Sequence, residues 1–292
     1  MVRRIECKDK EDLTFLEDST LGPYTSPIAT IKVDETIEVE TWNALTKVTN
    51  PVTGPIYVED AEPGDTLIID IIDVELPDEG TTSIIPGFGA LEGWLNLFEA
   101  REIKPSIRDG FVQFPTIDGK EISVPVKPFV GTIGVSPAYE SINTLTPGRH
   151  GGNMDCADVC PGNRLMLPVS RDGALFSLGD VHAVQGDGEV CGTAVEVDAV
   201  VKLRFDLIKQ RTIGWPRIES DEDIMAVGSA KPLEDAAREA YRELIEWMQV
   251  DYGWQMEDVY MFLSIASKAR IAQIVDPLYT VVAKISKRHL EE

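Results

Sequence analysis

The 292 residues hold only three histidines, four cysteines and 27 basic side chains, against 50 acidic ones. Each scarcity excludes something. With a formal net charge of −23 the surface repels a phosphate backbone or an anionic membrane, so neither nucleic acid nor membrane is an expected partner. The same charge favours solubility, and a small neutral substrate needs no electrostatic steering. So few cysteines over this length do not make a disulfide framework, and reduced thiols are the expectation. No run approaches the ~20 apolar residues of a membrane span, and the opening MVRRIECKDKEDL lacks the apolar core of a signal peptide; the expected location is the cytoplasm. Internal repeats and low-complexity tracts are also missing, and the length permits one large β-rich domain or two.

What is present reads mostly as strand and turn up to about residue 210. From Thr193 to Ile208 the odd positions Val195, Val197, Ala199, Val201, Leu203, Phe205 and Leu207 are apolar and polar residues alternate with them, predicting one long half-buried strand. Asp118-Gly119 and Asp172-Gly173, each between apolar runs, predict two hairpins. Pro63-Gly64-Asp65 adds a turn before the strand LIIDIIDVEL. Strands punctuated every ten residues or so point to a sandwich or barrel. Ser83 to Glu99 is broken by Pro86, Gly87, Gly89 and Gly93 and reads as an apolar loop, either covering a pocket or packed on the core through Phe88, Trp94, Leu97 and Phe98. Helices come late: Leu233 to Met248 behind Pro232, and Met256 to Ala266 with Glu257 and Asp258 at its start, followed by a strand over Leu278 to Ile285. The expected organisation is a β-sandwich domain over 1–210 and an α+β C-terminal unit over 211–292 packed on it.

The polar chemistry concentrates between Pro147 and Thr193, which holds two of the histidines and three of the cysteines. Asp180-x-His182 is a spacing at which two side chains of an extended segment share a face and reach one cation. A second glycine-rich segment supplies His150, Asn153 and Asp155. Gly186 and Gly188 permit backbone conformations that aim Glu189 inward, while Asp187 is expected to stay in a solvated turn. Arg149 to Asn153 offers backbone N–H groups and an amide to a developing oxyanion; it has no Gly-Lys-Ser/Thr ending and no following helix, so phosphate cradling is not expected. Cys156, Cys160 and Cys191 read as packed thiols, with two alternatives: a Cys156 nucleophile served by a histidine, or a structural zinc on the Cys-x3-Cys pair. Glu38 and Glu40 are reserve carboxylates on a solvated strand face, and His289 reads as exposed.

On GRHGGNMDC at 148–156, PGN at 161–163 with LPV at 167–169, and GALFSLGDVHAVQGDGEVCGTAVE at 173–196, the chain resembles the acetamidase/formamidase family. The resemblance extends to NPVTGPIYVEDAEPGDTL at 50–67 and AQIVDP at 272–277, where Asp276 reads as a turn-forming Asp-Pro. It implies a mainly β fold, a jelly-roll-like β-sandwich with a smaller α+β part. It also implies a metal-dependent amidohydrolase that converts short aliphatic amides such as formamide and acetamide to ammonia and carboxylate, working as a homodimer or higher homo-oligomer. The Cys-Glu-Lys machinery of nitrilase-type amidases is not found.

The residue chemistry then suggests a divalent ion, zinc before others, on Asp155, Asp180 and His182, with Glu189 or His150 completing the site or serving as acid and base, and Asn153 donating to the oxyanion. Calcium is a further expectation at a second site on so acidic a surface. The non-enzymatic alternative is a calcium-binding β-sandwich module, which would have no use for the His182 imidazole. Phe88, Trp94 and Trp42 are the bulky candidates for an acyl pocket.

Overall fold

The computed structural model describes residues 2–290, and among them two large sheets face each other. The larger runs, in order of neighbouring strands, through Arg3–Ile5, Thr36–Thr41, Ala199–Ile208, Thr66–Glu75, Arg164–Pro168, Arg217–Glu219, Asp223–Ala230, Tyr279–Ser286 and Lys268–Gln273. The smaller runs through Gly151–Asn153, Phe129–Gly134, Phe176–His182, Val52–Val58 and Ala29–Ile31. Glu196–Val197 pairs with the last residues of Phe176–His182, continuing the edge that Val52–Val58 occupies further back.

Period-2 alternation assigns each face. Val201, Leu203 and Phe205 point into the space between the sheets, where Phe205 meets Phe176 edge-on with ring centroids 5.0 Å apart. Leu67, Ile69 and Ile71 join that core, whereas Ile68, one residue out of phase, enters a second core on the sheet's other face. There the helix Leu233–Tyr252 covers Ile224, Ala226, Ala283 and Ile285 with Ala236, Ala240, Leu244, Trp247 and Met248. A Cβ on Gly228 would come within 2.3 Å of the Ala236 carbonyl, so glycine is what lets helix and sheet approach so closely. The helix ends on Gly253 in the left-handed region, whose N–H bonds to Gln249. The second helix spans Met256–Ala266. No helix among the described residues is long and apolar enough to cross a membrane. The C-terminal strands extend the larger sheet rather than forming one of their own.

The mainly β sandwich with C-terminal helices agrees with the sequence reading, and the Asp118-Gly119 hairpin forms between Phe111–Pro115 and Glu121–Pro125. Two local expectations are corrected. The turn at Asp172-Gly173 does not make a hairpin: Arg164–Pro168 lies in the larger sheet and Phe176–His182 in the smaller. Gly173, Ala174 and Leu175 all take positive φ, which carries the chain across the sandwich instead of back along the same sheet. The long strand over 193–208 is likewise divided at Asp198, with Glu196–Val197 in the smaller sheet and Ala199–Ile208 in the larger. At this crossing the Asp198 carboxylate accepts the Asn43 backbone N–H at 2.7 Å.

Truncating Phe205 to Ala removes the central inter-sheet contact and is expected to lower stability by about 3–5 kcal/mol, measured by denaturant unfolding of the purified variant.

Candidate active site

At one end of the sandwich six ionisable side chains converge. Asp155 follows the strand Gly151–Asn153, Asp180 and His182 end the strand Phe176–His182, and Glu189 lies in the turn beyond it. Glu196 begins the short strand Glu196–Val197, and Asp276 lies in the turn between Lys268–Gln273 and Tyr279–Ser286. All six are buried. Ligand atoms of Asp155, Asp180 and His182 lie within 4.8 Å of one another, as do those of His182, Glu189 and Glu196.

The backbone is bent to bring them there. Asp155, Asp180 and Glu189 have φ of 44°, 55° and 46°, the left-handed region, at a cost of order 1–3 kcal/mol each. Asp180 interrupts the ladder with Phe129–Gly134: Val130 pairs with Val181 and Thr132 with Gly179, so Gly131 stands opposite the distorted residue. A Cβ on Gly131 would meet Asp155 Oδ1 at 2.6 Å and Asp180 Oδ2 at 2.7 Å. Only a glycine leaves room for both carboxylates.

His182 is the single base among five acids. Its Nδ1 lies 2.9 Å from Gln185 Oε1, and Gln185 Nε2 donates to the backbone carbonyls of Asp155 and Ala272 at 3.0 and 3.1 Å. Two carbonyl acceptors demand the amide nitrogen on that side, so Gln185 presents its oxygen to the imidazole and Nδ1 carries the proton. Nε2 is left facing Asp180 Oδ1 at 3.2 Å and Glu196 Oε2 at 3.0 Å. Burial alone would depress His182, but Glu196 and Asp180 outweigh it and hold its pKa well above the usual imidazole range. The carboxyls divide. Burial, then the neighbouring acids, pushes Asp155 well up; burial does the same to Glu189 against the opposing pull of His182. Glu196 and Asp276 are each pushed up to about 7, again chiefly by burial. Asp180 alone is held below the ordinary carboxylate range, because the His182 charge beside it overcomes burial. Asp155 Oδ1 and Glu196 Oε2 remain buried without a hydrogen-bond partner; the Glu196 oxygen is near His182 but off the line of a hydrogen bond.

Of the residues singled out in the sequence, Asp155, Asp180, His182 and Glu189 are brought together, and His150 is not. Its ring packs against Gly148 and Gly152, burial alone lowers its pKa to about 4, and its Nε2 is unpartnered. Asn153, expected as an oxyanion donor, lines the cavity beside the acids and turns its amide to them. Its amide donates to Asp155 Oδ2 at 3.0 Å and Asp276 Oδ2 at 2.8 Å, and its oxygen accepts from Asn50 Nδ2 at 3.0 Å and from Thr132 Oγ1. Both amide hydrogens are therefore committed to the carboxylates. The Gly151 N–H is likewise used, on the Gly148 carbonyl.

Cys156 is wholly buried in the sandwich core, and burial with the Asp158 charge pushes its thiol well up, the opposite of what a nucleophile requires. No cysteine joins either ligand group among the described residues. Glu38 and Glu40 pair with Lys202 and Arg4 away from the site, and Asp187 pairs with Arg270 in its exposed turn. Asp276 and Glu196 are the acids the sequence reading missed. The Asp-Pro pair pointed to a turn, which forms, but the turn also delivers a buried carboxylate. Glu196 occupied the polar phase of an apparent amphipathic strand and had no signal of its own.

The acids floor a cavity of about 260 Å³. Asp180, Glu189, Glu196 and Asp276 line it below, with Leu45, Ile85, Phe88 and Leu145 among its walls. Of the bulky candidates only Phe88 reaches it: Trp94 is exposed, and the Trp42 N–H is bonded to the Lys8 carbonyl on another surface.

The model of the Acetamidase/Formamidase family matches residues 29–143 and 138–286. An acetamidase from Mycolicibacterium smegmatis is 29% identical over 217 residues, 54% of this chain and 53% of that protein. A formamidase from Methylophilus methylotrophus is 27% identical over 211 residues, 54% of this chain and 51% of that protein. The chain thus spans about half the length of these two relatives. Among solved structures, an acetamidase from Yersinia enterocolitica superposes with a TM-score of 0.89 at 36% identity, covering 99% of this chain and 93% of that one. The sequence match and the shared fold agree: the chain belongs to the acetamidase/formamidase family.

Proposed function

We propose that the chain hydrolyses the carbon–nitrogen bond of small neutral amides at this cavity, releasing ammonia and a carboxylate. The observation that carries the reading is the buried cluster itself. Five carboxyls and one imidazole are held together away from water, where four of the acids stay neutral only by keeping protons, and two buried carboxyl oxygens have no partner. That is the donor set of a divalent-cation site. Gln185 adds to the fit by fixing Nδ1 as a donor, so that Nε2 is the ring atom turned to Asp180 and Glu196 and would become a ligand once an ion displaced its proton.

In this reading Asp155, Asp180 and His182 hold the ion, with Glu196 beside them, and zinc is favoured because imidazole belongs to the set. Such an ion supplies Lewis acidity, which lowers the pKa of water and polarises a carbonyl. Both ligand groups among the described residues include His182, which favours this over an oxygen-only calcium module. The remaining steps fall to the chain's own residues. Asn153 holds Asp155 and Asp276 in place through its two amide hydrogens. Glu189 lines the cavity, and burial pushes its carboxyl well above the usual carboxylate range against the pull of His182, which suits it to deliver a proton to the departing nitrogen. Phe88, Leu45 and Leu145 exclude water from the acyl side. Assembly as a homodimer or larger oligomer in the cytoplasm belongs to the same proposal.

Chelation and dialysis are expected to abolish ammonia release from formamide and acetamide, with recovery on adding zinc. Asp180→Asn should abolish activity and bound metal together, measured by elemental analysis beside the assay. A fully metal-free preparation that retains its turnover would overturn the mechanism. Glu189→Gln is expected to lower kcat by about 10²–10⁴-fold while leaving the metal content intact. Gln185→Leu should weaken metal affinity by about 10–100-fold in a competition titration, because the imidazole loses its fixed tautomer.

A further inference from the structure

Hydrolysis of formamide or acetamide leaves most of the cavity unused. An apolar cavity of about 150 Å³ already accepts a benzene ring, and this one offers about 260 Å³. Above the acidic floor its walls carry no charge: Leu45, Ile85, Phe88 and Leu145 are its large side chains, and no lysine or arginine lines it. An anionic acyl group would meet four carboxyls and no cation.

The apolar surface continues past this chamber. A second cavity of about 290 Å³ shares Ile85 and Phe88 as a common wall and runs on over Leu91, Leu95, Leu97 and Phe98. Phe88 is the partition, and its seat is built. Its N–H bonds to the Ile85 carbonyl at 3.0 Å, and the Ala90 N–H bonds to Val190 at 3.0 Å, fastening the loop to the segment that carries Glu189. The ring lies directly on Gly192, where a Cβ would approach it to 2.5 Å.

We infer that the natural substrates are primary amides of medium-length, uncharged alkyl acyl chains, with Leu45, Ile85, Leu145 and Phe88 forming the acyl site and Phe88 setting its length. The inference rests on the amidohydrolase reading for the position of the carboxamide at the acidic floor, yet binding tests it without turnover. Burying each methylene favours binding by about fourfold.

In calorimetric titration of the full chain, hexanamide, with four more methylenes, is expected to bind about 200-fold more tightly than acetamide. Leu145→Trp fills the acyl site and should remove that advantage. Phe88→Ala should join the chambers and raise the affinity for octanamide relative to butanamide by about tenfold. Acetamide binding as tightly as hexanamide, or a Phe88→Ala variant that folds with unchanged chain-length preference, would overturn the proposal. If hexanamide binds as expected but no amide releases ammonia, the hydrolytic reading fails and the acyl site stands. If formamide is hydrolysed fastest and hexanamide binds no better than acetamide, the reverse holds.

Discussion

The structure depends on holding five carboxyls and one imidazole together away from water. Each ionised carboxylate taken out of solvent costs several kcal/mol unless it is paired, and one imidazole cannot pair five. The cluster therefore responds by dividing its protons: Asp180 stays ionised against His182, while Asp155, Glu189, Glu196 and Asp276 are driven upward by burial. A site in this state can exchange those protons for a cation, at the unpartnered oxygens of Asp155 and Glu196 beside His182.

Much of the surrounding sequence serves that constraint. Three of the acids accept left-handed backbone, which ordinary side chains avoid, and they are held so by ladders and turns on either side. Gly131 is kept without a side chain so that Asp155 and Asp180 can approach each other. Asn50, Thr132 and Asn153 form a buried polar chain whose last donors are spent on Asp155 and Asp276. Gln185 ties the imidazole to the backbone of Asp155 and Ala272, linking three separate segments through one amide. Such networks are worth building only where every member is satisfied, and the exceptions here are the atoms that face the proposed ion.

The sandwich explains how distant segments meet. The central strand Phe176–His182 is flanked by Phe129–Gly134 on one edge and by Val52–Val58 and Glu196–Val197 on the other. Its last residues lie where strands exchange between sheets, as the chain does at Asp198 and, at the opposite end, around Gly173–Leu175. An end where ladders break leaves backbone free to bend and side chains free to turn inward, which is where polar chemistry can be concentrated without opening the apolar core.

Local chemistry in the sequence was enough for several features: the alternation of Val201, Leu203 and Phe205, the helix behind Pro232, the Asp118-Gly119 hairpin, and Asp180-x-His182 as two side chains on one face. These rest on periodicities and turn propensities that act over a few residues. It also yielded Asp155 and Glu189, because acids among glycines signal backbone freedom. Tertiary structure alone decided the rest. Glu196 looked like the polar phase of one long strand until the break at Asp198 turned it inward, and Asp276 looked like a turn until the turn was packed against Asn153. His150 had the right residue type and the right neighbours in sequence, but its ring faces the glycine turn rather than the acids. Asn153 was recognised as polar and central, yet whether its amide meets a substrate or two carboxylates depends on residues more than a hundred positions away. Side-chain chemistry is written locally, while convergence on one point in space is set by long-range strand pairing, which no short window of sequence contains.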